Sequence, residues 1–132
     1  MIGDDAYIGF TASVTAVCSV LACARALIGN DFYASDHAHR HNPCDESPQF
    51  EGIYSKGTVI IGANCCIGLR VSVLPRATLG EYCVVGPHSV ITRSFPPFSM
   101  IAGIPARLNK TFDFGLGEWK AMQAAGNQRV AR

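Results

Sequence analysis

Three of the four histidines stand within five residues of one another, in the stretch Asp36-His37-Ala38-His39-Arg40-His41. Histidine is well suited to accept a proton near neutral pH, because its ordinary pKa is about 6.5. Asp36 next to His37 therefore has the composition of a general base and a carboxylate that could orient it. The same residues could also form a solvated cluster or a chance metal site on a polar loop.

These histidines open a polar segment that breaks the pattern of the flanking sequence. The segment covers about residues 36–58 and contains Pro43 and Pro48. A connection of this length inside a compact domain is usually functional. We therefore predict a long loop excursion that carries the candidate base.

A six-residue repeat follows the excursion. Branched aliphatic residues recur at every sixth position, and glycine directly follows four of them, where we expect it to permit a tight backbone at a corner. A small residue lies four positions after each of the first five. A helix would need apolar spacings of three and four, and a hairpin sheet would need longer strands. The spacing predicts a solenoid of short strands and turns. The aliphatic residues are Ile61, Ile67, Val73, Leu79, Val85 and Ile91.

The same register is present near the N-terminus, at Ile2 and Ile8. It slips by about two residues near Ser19–Leu21 and resumes at Ile28, with a degenerate unit at Ala22. We predict a repeat domain over residues 1–110 and a C-terminal extension over residues 111–132. The extension is expected to form a hairpin around Gly115–Gly117 or a short helix, with a frayed end.

Charge and hydropathy exclude several classes of function. The net charge is +1, so neither a nucleic-acid footprint nor a polybasic membrane anchor is expected. Only 16% of the residues are charged and 48% are hydrophobic, which favours burial of apolar surface in an oligomer. The apolar stretch Val14–Ile28 has no basic flank and is too short to cross a bilayer, so we expect no membrane insertion and a cytoplasmic protein.

The six cysteines are interpreted as free thiols in a reducing compartment. There is no CxxC pair, and the adjacent Cys65 and Cys66 would point to opposite faces of a strand. Cys18, Cys65 and Cys83 fall where the repeat favours small apolar side chains. We therefore expect neither a disulfide framework nor a metal site.

The block from Ile61 to Leu108 resembles the C-terminal repeats of hexapeptide-repeat acetyltransferases, most closely those acting on sugars and surface polysaccharides. The Asp36–His39 stretch and the exit sequence Ile101–Ala106 belong to the same resemblance, which covers about residues 2–110. It implies an all-β fold, a left-handed parallel β-helix with about 18 residues per coil. It also implies a homotrimer with active sites between subunits.

The resemblance implies an enzyme that moves an acetyl group from acetyl-CoA to a hydroxyl of a sugar or sugar-containing acceptor. Either His37 or His39 would be the general base, with His37 favoured, and Asp36 would bind the acceptor or orient the histidine. No covalent acyl-enzyme and no metal are required. The residues that match the family's coenzyme groove are Gly68, Gly86, Ser89, Arg93, Pro105, Ala106 and Arg107.

Other interpretations remain open at this stage. Cys66 stands where relatives commonly carry tryptophan, which is compatible with a non-catalytic structural subunit. The acceptor could instead be an amino sugar or an antibiotic-like molecule. A metal-dependent β-helix enzyme of the carbonic-anhydrase type is disfavoured, because it needs histidines on several coils and only His88 lies apart from the cluster.

Overall fold

A computed structural model describes residues 1–122 and shows a three-sided prism of short parallel strands. The first sheet contains β1 (Tyr7–Ile8), β4 (Leu27–Ile28), β9 (Cys66–Ile67), β12 (Val84–Val85) and β14 (Ser99–Gly103). The second sheet contains β2 (Ser13–Thr15), β5 (Tyr33–Ser35), β10 (Ser72–Val73) and β13 (Val90–Ile91). The third sheet contains β3 (Val20–Ala22), β8 (Val59–Ile61) and β11 (Thr78–Leu79).

The chain visits the three sheets in turn, and each circuit is one coil. Every pairing between coils is parallel, from Tyr7 opposite Leu27 to Val84 opposite Met100. Isolated bridges at Ile2 and Phe95 extend the third sheet at either end. The predicted parallel β-helix is thus confirmed.

The repeated aliphatic residues fill the interior of the prism. Each of the six predicted positions between Ile61 and Ile91 is at most 2% exposed. Burying an aliphatic side chain of this size stabilises the fold by about 1.5–3 kcal/mol. Cys65 and Cys83 are buried at small-residue positions as expected, and Ala22 takes the inward position of its degenerate unit opposite Ile61.

The glycines of the repeat have a different role from the one expected. None of the four repeat glycines between Gly62 and Gly86 has a positive φ; the left-handed corner residues lie three positions after each aliphatic residue and are not glycine. A Cβ on Gly62 would instead lie 2.6 Å from the backbone carbon of Gly80 in the next coil. These glycines are needed because stacked coils approach closely. The left-handed corner residues of this block are Asn64, Arg70, Arg76, Tyr82 and His88.

Irregularity is confined to one edge of the prism. Inward-facing residues are six positions apart on passing from the third sheet to the first and from the first to the second. Between the second and third sheets the step is eight residues from Val14 to Ala22, and six from Val73 to Leu79. We call this boundary the irregular edge; it comprises residues 15–19, 35–58, 74–77 and 92–94.

The excursion leaves the second coil at this irregular edge. It contains β6 (His37–His39), the four-residue helix α1 (Pro48–Glu51) and β7 (Ile53–Ser55). Strands β6 and β7 pair antiparallel, with His37 opposite Ser55. The step across the edge in this coil therefore runs from Ala34 to Ile61.

The chain leaves the prism through an antiparallel meander. Strand β14 pairs with β15 (Ala106–Asp113), which pairs with β16 (Glu118–Ala121). Of the two expectations for the extension, the hairpin is the one observed. Strand β15 runs across residue 110, and the domain boundary there stays a prediction. The expected frayed end lies outside the described residues. Over residues 1–122, the structure contains no helix with the length and apolar character of a transmembrane span.

Candidate active site

The Asp36 carboxylate is anchored by backbone donors of the preceding coil. Its side chain is 0% exposed. The N–H of Val17 donates to Oδ1 at 2.8 Å, and the N–H groups of Cys18 and Ser19 donate to Oδ2 at 2.7 Å each. Because the carboxylate is buried and engaged in this way, the geometry favours an orienting role for Asp36 over direct contact with an acceptor.

The fourth partner of this carboxylate is His37. Its Nδ1 lies 3.1 Å from Oδ1 of Asp36, and the imidazole is 17% exposed. Since the carboxylate already accepts three N–H groups, we assign the Nδ1 proton to the hydrogen bond with Asp36. The other ring nitrogen, Nε2, is then the one with a free lone pair.

The hydroxyl of Ser35 fixes the backbone of His37. The backbone N–H of His37 donates to Oγ of Ser35 at 3.3 Å, and Ser35 is 2% exposed. That hydroxyl donates to the His37 carbonyl at 3.1 Å. His37 is therefore held on both sides, by its backbone and by its ring.

Burial of Asp36 opposes its ionisation, but the three backbone donors and His37 outweigh this effect and hold its pKa well below the usual range for aspartate. The carboxylate is consequently charged at neutral pH. A carboxylate that accepts a hydrogen bond at Nδ1 favours the Nδ1–H form of the neutral ring.

His39 occupies a different setting from His37. It is exposed, and together with His41 it lines a wide hollow of about 1100 Å³ inside the excursion. Tyr54 and Glu51 lie on the other side of this hollow, and Arg40 stacks over the Tyr54 ring at 5.1 Å. No hydrogen bond to the His39 ring is found within residues 1–122.

Four of the predicted coenzyme residues gather at the edge between the first and second sheets. The Ser89 hydroxyl donates to the Gly86 carbonyl at 2.7 Å and accepts the N–H of Gly103 at 3.1 Å. Gly103 pairs with the buried Ala106, and the exposed Pro105 lies in the turn between them. The Ser89 hydroxyl thus ties the last full coil to the exit segment.

The other predicted coenzyme residues are Gly68, Arg93 and Arg107. A Cβ on Gly68 would lie 2.9 Å from the backbone nitrogen of Pro87, so coil stacking already requires this glycine. Arg107 is exposed on β15 opposite Ala102, near Ser89. Arg93 lies away from this group on the irregular edge, with its guanidinium 4.4 Å from the Phe95 ring centroid. The seven predicted residues therefore do not form one surface: Ser89 and Ala106 are buried, and Arg93 lies on a different edge from the others.

The backbone donors at Val17–Ser19 were not predicted as part of the site. Cys18 was expected in a buried repeat position, but it is exposed and lies in the turn that binds Asp36. The two-residue slip near Ser19–Leu21 was the signal of this turn. The slip predicts an irregular coil at this position. The spacing does not reveal that the turn binds Asp36 in the next coil.

Across residues 1–122, no group of three or more histidine, cysteine, aspartate or glutamate side chains has an arrangement that could hold a metal ion. The histidines of the excursion are thus not gathered into such a centre.

Comparisons with known proteins agree with the repeat and the fold. Residues 58–93 match the family described as "Bacterial transferase hexapeptide (six repeats)". A protein of Staphylococcus aureus (strain COL) named as an acetyltransferase is 35% identical over 82 residues, which are 62% of this chain and 39% of that protein. A protein of Escherichia coli (strain K12) named as the lipopolysaccharide biosynthesis O-acetyl transferase WbbJ is 28% identical over 89% of this chain and 63% of its own length. This chain thus spans about two fifths of the first relative and less than two thirds of the second.

Among solved structures, a galactoside acetyltransferase in complex with coenzyme A has a TM-score of 0.68 and 24% sequence identity. The match covers 83% of this chain and 58% of that one. This likeness shows the fold, which is the left-handed parallel β-helix expected from the sequence. In its repeat, its fold and its relatives, this chain is thus similar to the bacterial hexapeptide-repeat acetyltransferases.

Proposed function

We propose that this protein transfers an acetyl group from acetyl-CoA to a hydroxyl of a sugar or sugar-containing acceptor. The observation that carries the proposal is the Asp36–His37 pair, in which a buried carboxylate orients a histidine whose Nε2 is free. Relatives named as acetyltransferases, one of them for lipopolysaccharide, support the reaction and the class of acceptor.

The proposed reaction begins with proton transfer from the acceptor hydroxyl to Nε2 of His37. The resulting oxygen nucleophile attacks the thioester carbonyl carbon of acetyl-CoA and forms a tetrahedral intermediate. Collapse of that intermediate breaks the carbon–sulfur bond, and the imidazolium of His37 returns its proton to the departing thiolate. Asp36 stays ionised throughout and stabilises the transient imidazolium.

His37 is the proposed base, and His39 is the alternative. The ring of His37 is oriented by a carboxylate and a backbone hydrogen bond, whereas the ring of His39 is exposed on the loop. Orientation favours catalysis, because a fixed ring need not be ordered in the transition state. His39 and the hollow beside it are better suited to contact the acceptor.

Acetyl-CoA is proposed to lie along the outer face of the second sheet. Gly86, Pro105 and Arg107 lie toward one edge of that face and Arg93 lies toward the other, while the buried Ser89 holds Gly86 and Gly103 together. Arg93 and Arg107 would meet phosphate groups, because a guanidinium pairs well with phosphate oxygens. His37 follows β5 of this sheet, so the thioester end would approach the irregular edge.

The active assembly is proposed to be a homotrimer in the cytoplasm. One outward-facing residue from each strand of the first sheet forms an apolar column along the prism, which supports burial between subunits. The buried free thiols of Cys65 and Cys83 suit a reducing compartment. The column consists of Tyr7, Leu27, Cys66, Val84 and Met100.

Calorimetry with acetyl-CoA, followed by turnover on a panel of p-nitrophenyl glycosides, tests this function. We expect coenzyme binding, and an activity that falls at least about 100-fold in His37→Gln but only modestly in His39→Gln. Absence of coenzyme binding would contradict the proposed function and favour a structural subunit. If only amino sugars are acetylated, the acceptor group is an amine and not a hydroxyl. An equal loss of activity in His37→Gln and His39→Gln would contradict the assignment of His37 as the base.

A further inference from the structure

The first coil is longer than a regular coil at one edge only. It takes eight residues to pass from the inward-facing Val14 to the inward-facing Ala22, and six from Val73 to Leu79 at the same edge. The extra length forms a turn over residues 16–19. This turn lies directly beside Ser35 and Asp36 of the second coil, where the excursion begins.

Three consecutive N–H groups of this turn point at one anion. Those of Val17, Cys18 and Ser19 reach the Asp36 carboxylate at 2.7–2.8 Å. Successive backbone N–H groups that converge in this way form an anion-binding nest. The anion here is a side chain of the neighbouring coil, so the nest joins the inserted turn to the candidate base.

We propose that the Val17–Ser19 nest is a positioning element for acetyl transfer: it fixes the Asp36 carboxylate, which in turn sets the orientation and the protonated nitrogen of the His37 ring. The inference rests on the proposed function, in which His37 is the base. It assigns a role to backbone groups of the first coil, which do not themselves touch a substrate.

The directions of the hydrogen bonds support this role. A carboxylate has about four lone-pair sites, and the nest occupies three. The remaining bond goes to Nδ1 of His37 at 3.1 Å. Without the nest, the carboxylate would be free to rotate or to take a proton, and either change would release the ring.

The other titratable groups near Asp36 lie on the segments packed against it. Its carbonyl accepts the N–H of Lys56 at 2.8 Å, and within residues 1–122 its side chain makes hydrogen bonds only to the nest and to His37. The titratable side chains on these segments are those of Cys18, His37, His39, Tyr54 and Lys56. Since the nest bonds Asp36 and not the His37 ring, a change in the ring tautomer on removal of the nest can be attributed to Asp36.

The test compares the ¹⁵N-labelled full chain with a variant that lacks Ala16 and Val17, which restores the six-residue step. The tautomer of the His37 ring is followed by NMR, while kcat and the KM for acetyl-CoA are measured with a p-nitrophenyl galactoside as acceptor. We expect a single Nδ1–H tautomer in the wild type. The deletion should give mixed tautomers and a kcat reduced on the order of 100-fold, with the KM for acetyl-CoA within about twofold. Thr15→Ala, at the end of β2 next to the turn but outside the nest, should leave all three quantities unchanged.

A folded deletion variant with wild-type tautomer and kcat overturns the proposal. If the deletion does not fold, Asp36→Asn must show the same changes in the ring and in kcat. In addition, the amide protons of Val17, Cys18 and Ser19 must all shift in Asp36→Asn relative to the wild type; unchanged shifts also overturn it. A wild type that shows the expected ring but binds no acetyl-CoA contradicts the proposed function instead.

Discussion

Asp36 Oδ1 and His37 Nδ1 lie 3.1 Å apart on consecutive residues, and the carboxylate is completely buried. Adjacent side chains on an extended strand point to opposite faces, so this contact requires the chain to turn at the end of β5. The start of the excursion provides that turn. The pair thus forms because the β-helix is interrupted at this edge. It links the folding of the coil to the orientation of the His37 ring.

The first prediction concerns stability in acid. The pKa of Asp36 is lower in the folded protein than in the unfolded chain, so its ionised form stabilises the fold at any pH above the ordinary aspartate pKa of about 3.9. That contribution is lost as the pH falls through the folded-state pKa. We expect Asp36→Asn to be less stable than the wild type at pH 5–8 by a nearly constant amount, with a difference that shrinks below about pH 4. Urea unfolding across this pH range measures it, and Asp45→Asn on the exposed loop is the control.

The second prediction concerns the repeat glycines. A Cβ at position 62 would lie 2.6–2.7 Å from backbone atoms of the next coil, which cannot move without separating the coils. We expect Gly62→Ala to lower the free energy of unfolding by about 1–3 kcal/mol. Gly115→Ala is the matched control, since its Cβ would meet only a flexible Asp113 oxygen at 3.2 Å. Chemical denaturation of both variants measures this difference. Equal free energies of unfolding would mean that the distance between coils can increase at no cost.

The six-residue spacing predicts which residues face the interior of the prism, but it does not reveal why the repeat needs glycine. The inward position of Ile61 and its equivalents followed from the six-residue period, because burial repeats with the coil. The period also located the glycines, but it suggested a torsional reason where the structure shows a packing reason.

The site was less predictable than the coils. Asp36 and His37 could be selected by residue type, because a carboxylate beside a histidine has a recognisable chemistry. The donors of Val17–Ser19 could not, because any residue carries a backbone N–H and only the three-dimensional stacking of two coils brings these to Asp36. Likewise, spacing gave no sign that Arg93 lies on a different edge from Ser89.

The third prediction concerns Arg93. If its guanidinium meets a phosphate of the coenzyme, Arg93→Ala should weaken coenzyme A binding by about tenfold or more, and binding should become less sensitive to salt. Arg93→Lys should restore part of the affinity. Calorimetry at two ionic strengths measures both effects. Arg25→Ala is the control, because Arg25 donates to Oδ1 of Asn64 at 3.0 Å on the edge between the third and first sheets; equal losses in the two variants would argue against a specific contact of Arg93.

The last prediction concerns assembly through the apolar column of the first sheet. Val84 lies at the centre of the C-terminal half of this column, between Cys66 and Met100. A charge buried at a subunit interface without a partner is strongly unfavourable, so Val84→Asp should dissociate the proposed trimer. Light scattering coupled to size exclusion would then report one chain mass in place of three.

A matched variant separates assembly from folding. Thr78 faces outward on the third sheet, opposite Ile60, at a comparable half-buried position. Thr78→Asp should remain trimeric if the first sheet forms the interface, and both variants should keep the circular dichroism of the β-helix. If Val84→Asp is monomeric and folded, its transferase activity should fall as well, because the homotrimer is the proposed active assembly. A trimeric Val84→Asp variant would instead place the interface on another face of the prism.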